Sequence, residues 1–205
     1  MTWMLTRTGA NIDLRYIRQA DISVLDIAHA LAQLNRFTGM ASRPYSVAEH
    51  SLFVEQLLRH ACVTDPHVLQ AGLMHDAHEA YFGDMSAPLK QMLNQATAGG
   101  LKLEERRMQM AVMDAFKLKT PFHTASKQIH WGDMSALSSE RLALMPEHDV
   151  VWPCTLEFPP FTFKDFAADG AHSWTYWRDR FLQRFVELNA AREAHAAAIP
   201  RAHPA

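Results

Sequence analysis

The stretch VLQAGLMHDAHEAYFGDMSAPLK, residues 68–90, decides how the chain is read. Apolar Val68, Leu69, Ala71, Leu73 and Met74 run directly into His75, Asp76, His78 and Glu79, and Asp84 follows Gly83. Ionisable groups at the end of a core helix are costly to bury and are normally tolerated only when paired or when they ligate a metal. The spacing predicts one helix through this run, opened by Asp65-Pro66. On it His75 and Glu79 are i,i+4, and Asp76 and Glu79 are i,i+3, so the three share an edge. Adjacent His75 and Asp76 diverge by about 100° on an ideal helix. They reach a common ion only in a groove between helices, with further ligands brought by other helices.

Upstream, Ser23 opens an amphipathic helix with Asp26 as its capping partner, and Ser46-Val-Ala-Glu49 is a capping box that opens a second. On that second helix Val47, His50, Val54, Leu57, Leu58 and Ala61 form one stripe, which places His50 on the apolar face near the N-terminal end. Downstream of Gly99-Gly100 comes a charged helix over residues 101–116. Thr124 caps a long helix that Pro146 ends, in which Ile129, Ala136 and Leu137 flank Asp133 at helical spacing. Residues 146–165 hold four prolines and read as loop. A last helix over 169–197 carries Trp174, Trp177, Phe181, Phe185 and Leu188 along one face and is expected to close the core. The expectation is an all-α chain of about six or seven helices without a β-sheet. One domain is expected over residues 1–197, with a flexible tail at 198–205.

Composition narrows the function classes. A net charge of −2 gives no overall basic field for nucleic acid or anionic membrane. The two cysteines, Cys62 and Cys154, are too few for a disulfide framework and fit a reducing, cytoplasmic setting. No apolar run reaches membrane-spanning length, and the first residues lack the apolar core of a signal peptide.

His50 alone reads as a buried histidine, and Asp133 alone as a buried acid paired with an arginine. Together with His75 and Asp76, on apolar faces of three helices, they read as one metal site. Two imidazoles and two carboxylates suit a single divalent transition ion (Mn²⁺, Co²⁺, Fe²⁺, Ni²⁺ or Zn²⁺), with Mg²⁺ also admitted. Such an ion serves phosphoester hydrolysis, which also needs a base within reach of the water and cations for the phosphoryl charge. Glu79 shares the ligands' helical edge, and Arg36, Arg43 and Lys90 are the cations nearest them in sequence.

The order His50, His75-Asp76, Asp133 resembles the signature of the HD-domain phosphohydrolase superfamily. The segments RFTGMASRPYSVAEHS, HDAHEAYFGDMSAPLK and WGDMSALSSER resemble small bacterial 5′-deoxynucleotidases, and more closely phage-type HD enzymes that include dATP triphosphohydrolases. The similarity covers roughly residues 24–145. It implies phosphate and base contacts for Arg36 and Phe37, with Phe37 standing where the family has Trp. It implies that Glu79 positions or activates the water, and that Asp84 binds the sugar 3′-hydroxyl and favours deoxyribose. The implied activity is hydrolysis of dNMP to deoxynucleoside and phosphate, or of dNTP to deoxynucleoside and triphosphate; separately, the aromatics of the 146–165 loop suggest a contact for a homodimer or higher homo-oligomer. The rival expectations are an HD-type phosphodiesterase or nuclease on nucleic acid or a cyclic nucleotide, and a non-catalytic module in which metal only stabilises the fold.

Overall fold

The helix opened by the capping box lies at the centre of the structure. A computed structural model describes residues 2–162 and 172–198. The expected start of the last helix at Asp169 and the tail from residue 199 onward lie outside the described residues. The elements are β1 (Trp3–Leu5), β2 (Asn11–Asp13), α1 (Val24–Leu31), α2 (Val47–His60), α3 (Pro66–Leu73), α4 (Glu79–Phe82) and α5 (Ala87–Ala96). They continue with α6 (Gly100–Ala115), α7 (Lys119–Thr124), α8 (Ser126–Leu144), α9 (Pro153–Glu157) and α10 (Trp174–Ala198). The chain is all-α in class, but these ten α-helices among the described residues exceed the six or seven expected.

The excess has local causes. The helix expected to run through the central stretch stops at Leu73, with Met74 at φ −97°, ψ 4° as its cap. Residues 74–78 form turns closed by i→i−3 bonds, including Ala77 N–H to the Met74 carbonyl (2.9 Å) and Glu79 N–H to that of Asp76 (2.9 Å). This tighter winding is the 3₁₀ pattern. Thr124 does not cap α8. It ends the extra helix α7, and its hydroxyl donates back to the Thr120 carbonyl (3.0 Å). A short helix, α9, also interrupts the proline-rich segment, started by Pro153 in its first turn.

A two-stranded antiparallel hairpin was not expected from the sequence. Met4 faces Ile12 in its register, and Ile12 is the strand residue that reaches the core. Three-residue strands give too short an alternation to be read as such. Asp26 is drawn to this hairpin: its carboxylate accepts from the Thr8 N–H and hydroxyl at 2.8 and 2.7 Å, while Ser23 caps α1 through the Leu25 N–H.

Helix α2 packs on α1, α3, α8 and α10, and Val54, Leu57 and Leu58 are fully buried along it. Two glycines admit that closeness. A methyl at Gly72 of α3 would lie 2.3 Å from Leu58 Cδ1, and one at Gly132 of α8 would lie 3.3 Å from Val54 Cγ1. These contacts set the spacing of the helices that bring the candidate ligands together. Gly72→Ala is therefore expected to overpack the site's foundation and cost about 1–3 kcal/mol in urea unfolding. Unchanged stability would show that Leu58 yields freely. Along α10, Phe181, Phe185 and Leu188 are buried as expected, whereas Trp174 at its start is exposed.

Candidate metal centre and its cavity

His50 sits in the first turn of α2, below an N-cap in which the Ser46 hydroxyl accepts from the Glu49 N–H (3.2 Å). The reciprocal half of the capping box is absent, because the Glu49 carboxylate instead binds Arg43 at 2.7 and 3.0 Å. His75 and Asp76 come from the turn after α3, and Asp133 from α8. His50 Nε2 lies 3.3 Å from His75 Nε2, 3.5 Å from Asp76 Oδ2 and 3.3 Å from Asp133 Oδ1. His75 Nε2 lies 3.1 Å from Asp76 Oδ2 and 3.8 Å from Asp133 Oδ1. Ligands about 2.1 Å from an ion are separated by about 3.0 Å at neighbouring octahedral corners and by about 3.4 Å at tetrahedral ones. The separations among His50, His75 and Asp76, 3.1–3.5 Å, lie at or close to that range, and those three form the mutually close group; Asp133 stands 3.3 Å from His50 and a wider 3.8 Å from His75.

The tautomers support the same fit. His75 Nδ1 is 2.8 Å from the Gly72 carbonyl, which can only accept, so that nitrogen carries the proton. His50 Nδ1 is 2.6 Å from Glu140 Oε1. Glu140 is held ionised against its burial by Arg36 and His50, so His50 Nδ1 donates as well. When the rings are neutral, Nε2 is in each the atom left to present a lone pair towards the two carboxylates. Four acceptors facing one another need a cation between them. Burial opposes a proton on His75, yet Asp76 and Asp133 outweigh it and hold its pKa at about 10. Asp76 and Asp133 are themselves depressed despite burial, chiefly by the two histidines. A divalent ion binding here would displace those protons.

Arg36 reaches this centre from a kinked 3₁₀ turn, Arg36–Gly39, in which Phe37 and Thr38 hold positive φ of 57° and 55°. Its backbone is fixed by the Arg36 N–H to Tyr45 carbonyl bond (2.8 Å), and the loop is tied to the end of α8 by Ser42 N–H to the Leu144 carbonyl (2.8 Å). The guanidinium lies 3.6 Å from Asp76 Oδ2 and 3.2 Å from Glu140 Oε2.

A cavity of about 620 Å³ opens over the centre, lined by Arg36, Phe37, Asp76, Glu79, Asp84, Lys90 and Asp133 at its polar end. Met134, Leu137, Trp152 and Pro153 form its apolar wall, with the Phe37 and Trp152 rings 6.1 Å apart. The volume falls within the roughly 300–1,000 Å³ typical of small-molecule sites. Burial raises the Glu79 carboxyl well above the usual range, with the charges of Asp76 and Asp84 adding to the effect. Asp84 is raised for the same first reason. Lys90, on α5, lies 3.5 Å from Glu79 Oε1 and 2.6 Å from Glu105 Oε1, and His78 Nε2 is 3.7 Å from that same Glu105 oxygen.

The structure thus brings together His50, His75, Asp76 and Asp133, and around them Arg36, Phe37, Glu79, Asp84 and Lys90. It does not bring Arg43 to the cavity lining: that guanidinium pairs with Glu49 and the Pro44 carbonyl and lies over the Tyr45 ring. Glu140, Trp152 and Met134 are site residues that the sequence reading did not single out. Among the described residues no helix is long and apolar enough to cross a membrane.

No known family profile matches the chain. It is 31% identical over 195 residues to the uncharacterized protein YfdR of Escherichia coli (strain K12), an alignment covering 94% of this chain and 99% of that protein. It is 37% identical over 110 residues to the uncharacterized protein RCAP_rcc00048 of Rhodobacter capsulatus, covering 51% of this chain and 53% of that one.

Proposed function

We propose that this chain, which belongs to one family with the uncharacterized protein YfdR of Escherichia coli, is an HD-type, metal-dependent phosphohydrolase of 5′-deoxynucleotides. The observation that carries the proposal is the convergence of two imidazole Nε2 atoms and two carboxylates at the polar end of a nucleotide-sized cavity.

His50, His75, Asp76 and Asp133 would hold the ion. When bound, a divalent ion there supplies Lewis acidity towards a phosphoryl oxygen and lowers the pKa of water. The remaining work falls to the chain. Arg36, inside the cavity and next to the ligand set, balances negative charge on the phosphoryl oxygens. Glu79 accepts a proton from the attacking water. Burial and the neighbouring Asp76 and Asp84 raise its carboxyl, which strengthens it as a proton acceptor, and the water oxygen forms the new bond to phosphorus as the sugar 5′-oxygen leaves. Asp84 accepts a hydrogen bond from a sugar hydroxyl, and the Phe37 and Trp152 rings flank the base. Monophosphate and triphosphate substrates are attacked at the same phosphorus, the one bonded to the 5′-oxygen, and differ in the phosphate chain it carries, so the same residues serve both.

The test is a hydrolysis screen with Mn²⁺, Co²⁺, Zn²⁺ or Mg²⁺ over dNMPs, dNTPs and the matching ribonucleotides, with products separated chromatographically. Metal-dependent release of deoxynucleoside, abolished in Asp76→Ala, is the expected result, and the by-product identifies the phosphate length. A protein that binds metal but turns over no nucleotide would overturn the proposal and favour a phosphodiesterase or a structural metal module.

A further inference from the structure

Beside the four candidate ligands lies a second group with metal-binding geometry. One donor atom from each of His78, Glu79 and Glu105 lies within 4.8 Å of the other two. His78 and Glu79 are each only 3% exposed, and two of their polar atoms, His78 Nδ1 and Glu79 Oε2, have no hydrogen-bond partner among the described residues. Buried polar atoms without partners are uncommon and call for a ligand or a reason. The other polar atom of each group, His78 Nε2 and Glu79 Oε1, belongs to a cluster with a cation already present: the Lys90 ammonium touches Glu105, which His78 Nε2 faces, and approaches Glu79 Oε1.

We infer that His78, Glu79 and Glu105 form a second cation site that Lys90 fills, so that the protein holds one exchangeable metal ion and carries its second positive charge on a side chain. The lysine is placed for this. Its Nζ is 2.6 Å from the Glu105 oxygen that His78 also faces at 3.7 Å, and Glu79 lies on its other side at 3.5 Å. It stands between the substrate cavity and a second cavity of about 430 Å³ lined by His78, Lys102, Glu105 and Arg106, so the cluster is open to ions from solvent. Two-metal phosphohydrolases place two divalent ions roughly 3.5–4 Å apart to stabilise attacking and leaving oxygens. A tethered ammonium supplies part of that charge at a fixed position and cannot dissociate. Without Lys90, two carboxylates and an imidazole are left facing one another with no cation, a donor set suited to a borderline divalent ion.

The inference rests on the metal centre of the proposed function for its reference count, and the increment between variants tests it independently. Purified full-length protein is dialysed to equilibrium against Co²⁺ alone or Zn²⁺ alone, and bound metal per chain is measured, with circular dichroism as the check on folding. One ion is expected in the wild type and in Lys90→Arg, two in Lys90→Met, and one again in Lys90→Met/Glu105→Gln. Lys90→Gln replaces Lys90→Met if the latter does not fold. An unchanged count on removing the lysine's charge would overturn the inference. So would two ions in the wild type with the second lost in Glu105→Gln. A wild type with no metal would sink the metal centre itself, while a gain of one ion in Lys90→Met would still uphold the second site.

Discussion

Glu79→Gln is expected to lower turnover of the preferred deoxynucleotide by about 10²–10⁴-fold, the range associated with loss of a positioned general base. The substitution is close to isosteric, and Glu79 is not among the four candidate ligands, so metal content should stay at the wild-type count. The carboxyl is 3% exposed, and burial together with Asp76 and Asp84 raises its pKa. Gln removes a carboxyl that the environment already disfavours in its charged form, so stability should hold or rise slightly. The measurement is kcat and KM under saturating metal, with metal per chain determined on the same sample. A loss confined to kcat with metal retained supports the assignment. Loss of metal in parallel with activity would instead move Glu79 into the ligand set, and unchanged kcat would remove it from the chemistry.

The candidate ligands His50 and Asp133 were legible because each sits on an apolar helical face where a charge has no structural excuse. His50 interrupts the Val47–Val54–Leu57–Leu58 stripe, and Asp133 stands among Ile129, Ala136 and Leu137. The course of the backbone at His75-Asp76 was less legible. Periodicity continues across the break, since turns with i→i−3 bonds displace side chains by only about 20° per residue from an α-helix. Glu140 was hidden by its neighbours. It follows Asp133 by two helical turns and so shares its face, but it lies in the polar run Ser138-Ser139-Glu140-Arg141, where no apolar stripe marks it as buried. All four residues are buried. The Ser139 hydroxyl donates to the Ser135 carbonyl at 2.7 Å and accepts from the Phe161 N–H at 2.8 Å, so its polarity is satisfied inside the protein. Trp152 lies in a proline-rich segment without periodicity. Its position over the cavity depends on packing that no local pattern encodes: Arg141 stacks on its ring at 5.4 Å.

Glu140→Ala is expected to produce the largest loss of stability of any single substitution at the site. The Glu140 side chain is fully buried and ties α8 to α2, to the Arg36 turn and to the segment carrying Tyr45. Its Oε1 accepts from His50 Nδ1 at 2.6 Å and from the Tyr45 hydroxyl at 3.0 Å, and its Oε2 lies 3.2 Å from Arg36 Nε. Removing it leaves the 3.6 Å contact to Asp76 as the guanidinium's remaining ion pair among the described residues and strips the proton acceptor from His50. Breaking a buried charge pair from one side costs about 3–5 kcal/mol. For a chain of this length that corresponds to a fall in melting temperature on the order of 10 °C. Affinity for the ion should fall as well, by about 10–100-fold, because His50 loses the partner that fixes its tautomer and ring orientation. Glu140→Gln separates the two effects. Its amide oxygen can still accept from His50 Nδ1, so metal affinity should recover further than stability, which depends on the charge opposite Arg36. Thermal melts and metal titrations of both variants give the comparison. If both lose stability and metal affinity equally, Glu140 acts through its charge alone. If neither loses metal affinity, the imidazole of His50 is oriented by packing within α2, and Glu140 serves only to neutralise Arg36.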